Sequence, residues 1–283
     1  MFELLLNLVR QADAIAVARV RSSRETEASG EKSLRVEASV QRALRGIPGR
    51  DTITIDIAAE GKETPALEDG SEWVFLLRDA PGAMRLVDLA RPIRMPAEHR
   101  DEFLALFDRY REVADAGAPE AAVKPLLLAA LSSPFPLFRQ DAAKTALTVS
   151  KWSSEDLDRL ATLVEGDEET PPLRGNDRDN LSSVVLAHAP VTRARDFARA
   201  RLAEGDSDAV YFGLTNRSLP GTDEILGSLL RDPKEAIRIG AIRVAGLLRK
   251  PEALAAFERE RGSELTTAET KALGAARALA SRD

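Results

Sequence analysis

LLLAALSSPFPLFRQDAAKTAL at residues 126–147 and ILGSLLRDPKEAIRIGAIRVAG at residues 225–246 align without a gap at an offset of 99 residues. Leu127 matches Leu226, Leu131 matches Leu230, Pro134 matches Pro233, Arg139 matches Arg238, Ala142 matches Ala241 and Ala146 matches Ala245. Apolar residues three and four apart, broken once by a proline-containing turn, predict helix, turn, helix in each copy. Asp232 and Ser133 are expected to be N-caps, with Pro233 and Pro134 at the first helical position, where a missing N–H costs nothing. The alanines, spaced by four, line one helix face and let neighbouring helices approach closely.

Outward from the two copies the helical period continues. Residues 180–189 pair with 191–204, and 207–217 with 223–230. Ser153 with Asp156, and Thr266 with Glu269, read as capping boxes that start two more helices. The polar stretch 165–179 reads as an inserted loop. Asp232 and Arg238 resemble the HEAT-repeat pattern, in which an aspartate and an arginine support the stacking of adjacent helix pairs; Ser133 departs from it. That resemblance implies an α-α superhelix over residues 118–283.

Before residue 97 the period is two. Leu34, Val36, Ala38 and Val40 alternate with Arg35, Glu37, Ser39 and Gln41, and Ile53, Ile55 and Ile57 alternate with Thr52, Thr54 and Asp56. These are half-buried strands. Residues 14–21, 73–78 and 84–89 complete a set of five, separated by Ser29-Gly30, the run Gly46-Ile47-Pro48-Gly49, Asp69-Gly70 and Pro81-Gly82, so that residues 1–96 are expected to form a small barrel or sandwich. LVRQADAIAVARV, LRVEASVQRALRG, DTITIDI and GSEWVFLLRD, in that order, resemble the netrin-like, OB-type barrel of bacterial exported proteins. Tissue inhibitors of metalloproteinases share that barrel and use an N-terminal cysteine against zinc, a mechanism that does not carry over to a chain without cysteine. A helix over residues 97–114, begun near Pro96, is expected to join the halves through a linker ending at Gly117. The expected class is therefore α+β in two domains.

Composition narrows the function. Of 283 residues 44% are apolar and 30% charged, ordinary for a folded soluble protein, and the formal charge of -6 lacks the positive footprint of a general nucleic-acid binder. With no cysteine, disulfides, thiolate nucleophiles and cysteine-based metal sites are excluded. The apolar run 2–9 is too short to span a bilayer and lacks a basic region before it. If Met1 is the natural start the chain is expected to be cytoplasmic; an upstream signal peptide would make it exported or periplasmic.

No catalytic, cofactor or metal set emerges. His99 and His188, the two histidines, fall in different halves, each at a helix end, without a nucleophile-elbow sequence. Asp177 and Asp179 lack the remaining ligands of a calcium loop, and the acidic group Glu165, Asp167, Glu168 and Glu169 reads as solvated loop. No glycine-rich phosphate motif occurs. Arg193, Arg195, Arg199 and Arg201, with Arg243, are the candidate surface-binding cations, while Ser133, Pro134, Arg139, Asp232, Pro233 and Arg238 are expected to be structural. On a helix Arg195 and Arg199 share one face, with Arg193 and Arg201 on roughly the other. The expected function is a non-enzymatic interaction or scaffold protein whose partner is another protein. The alternatives are a nucleic-acid binder using these arginines and, third, a hydrolase or lyase with an unfamiliar carboxylate site.

Overall fold

The computed structural model describes residues 4–28, 31–47, 49–58, 67–80, 83–87, 91–166 and 173–281. The expected turns at Ser29-Gly30 and Pro81-Gly82, Pro48, the end of the strand at 84–89, and Asp167 to Glu169 lie outside the described residues. The chain is α+β and divides into two compact units, Met1–Ala130 and Leu131–Asp283.

The first unit begins with α1 (Leu5–Gln11), followed by β1 (Ala14–Ala28), β2 (Glu31–Arg45), β3 (Thr52–Ala58), β4 (Glu72–Arg78), β5 (Met84–Leu86) and β6 (Ile93–Arg94). α2 (Arg100–Asp115) and α3 (Glu120–Leu131) come next. β1, β2 and β3 pair antiparallel in succession, β3 pairs parallel with β5, β5 antiparallel with β4, and β4 antiparallel with both β6 and β1. The period of two decides what this sheet buries. Ala14, Ala16, Ala18 and Val20 meet Leu34, Val36 and Ala38, Ile53, Ile55 and Ile57, and Trp73, Phe75 and Leu77 in one apolar cluster. Each large side chain in it is worth about 1.5–3 kcal/mol of transfer free energy. Ile15, Val17, Val74 and Leu76 are equally buried but point to the other side of the pleat. α1 packs against β4 and α2, burying Leu5, Leu6 and Val9 with Phe103, Leu104, Phe107 and Tyr110.

One arginine ties three of these elements together. Arg45 on β2 donates through Nη1 to the carbonyls of Val9 (2.7 Å) and Ala12 (2.9 Å), in the last turn and at the C-cap of α1, where carbonyls lack partners within the helix. Its Nη2 donates to Asp115 of α2. Arg42 reaches Asp108 of α2 at 2.8 Å.

Three expectations need correction in this unit. β1 runs on to Ala28 and β2 starts at Glu31, beyond the expected strands, because the hairpin continues as a ribbon whose residues 21–25 are all exposed. It is held by ladder bonds and by the Thr26 and Ser33 hydroxyls, 2.8 Å apart, which leave no apolar alternation to read. β6 is too short for any period; it pairs Arg94 with Trp73 and Ile93 with Val74. α2 begins at Arg100, not near Pro96, because His99 sits at φ 58 in the left-handed region and ends the helix there.

The second unit holds α4 (Pro136–Ala146), α5 (Ser154–Glu165), α6 (Gly175–His188), α7 (Val191–Ala203), α8 (Ser207–Thr215), α9 (Leu219–Leu230), α10 (Glu235–Leu247), α11 (Pro251–Arg261) and α12 (Thr267–Ala280). α4 packs on α6, α6 on α8, α8 on α10 and α10 on α12, while α7 packs on α9. Links between the two sets include α5 with α6, α7 with α8, and α9 with α10. Ala142, Ala146, Ala241 and Ala245 are fully buried. At Gly246 the backbones come so close that a Cβ would stand 2.7 Å from Ala276 Cα. Both capping boxes form.

The sequence correspondence extends to helix boundaries: α3 starts at Glu120 and α9 at Leu219, they end at Leu131 and Leu230, and α4 and α10 start at Pro136 and Glu235. Those last two starts correct the expected caps. The N-caps are Phe135 and Lys234, two residues later than Ser133 and Asp232. Arg238 Nη1 occupies the carbonyls of Asp232 and Pro233, both at 2.8 Å, and so takes acceptors that an earlier helix start would use. Before α4, Pro136 holds Phe135 extended at φ -91 and ψ 112. The loop expected over 165–179 is also shorter, since α6 begins at Gly175 and carries Asp177 and Asp179 in its first turns.

Candidate interaction surface

The arginines singled out from the sequence are all engaged. Arg193 on α7 faces Asp158 of α5 at 3.3 Å, Arg195 turns to Asp196 at 3.2 Å, and Arg243 on α10 reaches Asp208 of α8 at 2.9 Å. Arg199 donates from Nε to Asp232. Burial alone would push the Asp232 carboxyl up, but the Arg199 hydrogen bond and the Lys234 backbone N–H (2.9 Å) hold it below the usual range.

Arg201 corrects the expectation of a surface cation, for its side chain has 0% exposure. It lies one turn after buried Phe197, with the guanidinium 5.8 Å from that ring, so the core side of α7 carries it inward. The Glu204 carboxylate pairs with it and also accepts from Arg178 of α6. Burial works to raise the Glu204 pKa; those two arginines outweigh it and the pKa falls. Within α6 the opposite result holds: desolvation raises both Asp177 and Asp179 above the usual carboxylate range, only partly offset at Asp177 by Arg139 and Lys144.

The structural residues serve two turns, Asp232, Pro233 and Arg238 the one before α10 and Ser133, Pro134 and Arg139 the one before α4. Arg238 binds the Asp232 and Pro233 carbonyls and donates Nε to Glu269 Oε1 at 2.6 Å. Arg139 repeats the first contact, its Nη1 donating to the Ser133 carbonyl at 2.8 Å. Pro134 and Pro233 are exposed. Glu269, fully buried, was legible as half of a capping box but not as the partner of Arg238, which comes from another helix. Its Oε2 accepts from the Thr266 N–H at 2.9 Å and lies 3.9 Å from Arg261. Desolvation raises its pKa, and Thr266, Arg238 and Arg261 together bring it below the ordinary value.

Exposed His99 places Nδ1 3.3 Å from Glu102. His188 closes α6, and burial with the nearby Arg217 charge lowers its pKa. Among the described residues no three His, Asp or Glu side chains are arranged to hold a metal ion, and no helix is long and apolar enough to cross a membrane.

Outward from the second unit are Phe212 on α8, 57% exposed, with Tyr211 beside it at 5.2 Å between ring centroids, and Leu137 and Leu147 at the two ends of α4. Phe212, Leu137 and Leu147 are the exposed large apolar side chains among the described residues. Phe212 follows Asp208 by one helical turn and so shares the face on which Asp208 meets Arg243. A shallow depression lies between α7 and the start of α10, lined by Asp196, Arg199, Ala200, Ala203, Lys234 and Ile237. Compared with known proteins, the chain matches no family model and no curated protein.

Proposed function

We propose that this chain is a non-enzymatic interaction or scaffold protein whose second unit is an α-α superhelix of HEAT-like repeats offering an extended surface to another protein. The observation that carries this reading is the row of stacked helices α4, α6, α8, α10 and α12, in which Phe212 of α8 and Leu137 of α4 are exposed. Stacked helix pairs build long surfaces of this kind. Aromatic side chains such as phenylalanine and tyrosine are enriched in protein interfaces.

The first unit fits an OB-type, netrin-like barrel, since its pairing runs β1-β2-β3-β5-β4 and returns to β1. It would add a second contact or an attachment point. Pairing of Arg193, Arg195, Arg199, Arg201 and Arg243 with carboxylates favours a protein over a phosphate backbone, because each cation offered to a phosphate would first have to give up its acid. The test is affinity capture with the intact chain from the source organism, followed by identification of what is retained. A protein retained across a range of salt is expected. Duplex DNA or RNA retained only at low salt, or turnover lost on changing one acidic or histidine residue, would overturn the reading.

A further inference from the structure

We draw no further inference here: the strongest candidate, the solvent-facing Phe212 and Tyr211 patch of α8 beside the Asp208 and Arg243 pair, belongs to the surface already described, and nothing in the structure shows what covers it.

Discussion

Replacing Glu269 by alanine removes two things at once. The carboxylate is the N3 half of the capping box of α12, accepting from the Thr266 N–H in a bond worth about 1 kcal/mol, and it is the charge opposite buried Arg238, whose side chain is 9% exposed. Breaking a buried pair by removing one partner typically costs about 3–5 kcal/mol. Arg238 keeps the Asp232 and Pro233 carbonyls, which places this site at the lower end of that range. Glu269→Ala should therefore destabilise the second unit by about 3–4 kcal/mol, combining that lower figure with the lost cap. The assay is urea denaturation followed by circular dichroism, with hydrogen exchange read on α10 and α12 to localise the effect. Arg238→Met combined with Glu269→Leu should cost less than the two single changes added together, since neither charge is then left alone. The sign with pH follows from the lowered pKa: the Glu269 contribution is fully present above its ordinary value of 4.5 and is lost as the pH falls through the lower folded value. Glu269→Ala should flatten that acid limb. A loss under about 1 kcal/mol, or strictly additive single changes, would refute the ion-pair reasoning.

Gly246→Ala should cost about 1–3 kcal/mol by thermal or urea unfolding, since its Cβ would press on Ala276 backbone atoms at 2.7 Å; no change would mean that α10 and α12 do not meet there. Arg249→Gly should stabilise by about 0.5–1 kcal/mol. Arg249 stands at φ 54 in the left-handed position of a Schellman cap, where the Lys250 N–H bonds Ala245 O at 3.0 Å and the Arg249 N–H bonds Gly246 O at 3.2 Å; a loss of stability would contradict the assignment. Arg201→Met should be neutral or stabilising by up to about 2 kcal/mol, because Glu204 retains Arg178 and no buried charge is stranded. A fall in the unfolding midpoint would show that the buried guanidinium is needed.

Local regularity explains what the sequence made legible. Leu34, Val36 and Ala38, and Ile53, Ile55 and Ile57, each announce a strand because one face alone is buried, and all six point into the cluster. Ser153 and Thr266 announce helix starts because their partners lie three residues on. What was hidden depends on residues far apart in the chain. The pairing of β1 with β4 leaves no mark within either strand. The polar ribbon at the tips of β1 and β2 is stabilised by backbone bonds, to which hydrophobic period is blind. Charge spacing along α7 does not reveal the burial of Arg201, which depends on its packing near Phe197 and its pairing with Glu204. The partners of Arg199, Arg238 and Arg243 all come from other elements, so their engagement could be read only once the helices were packed.

The claim that the second unit works as a protein-binding surface is tested most directly by repeating affinity capture with Phe212→Asp beside the unaltered chain. Phe212 is more than half exposed, so the fold should keep its unfolding midpoint. The account predicts that a protein held by the unaltered chain is lost, or weakened at least tenfold, in the variant. Retention at undiminished affinity, with the variant folded, would contradict it.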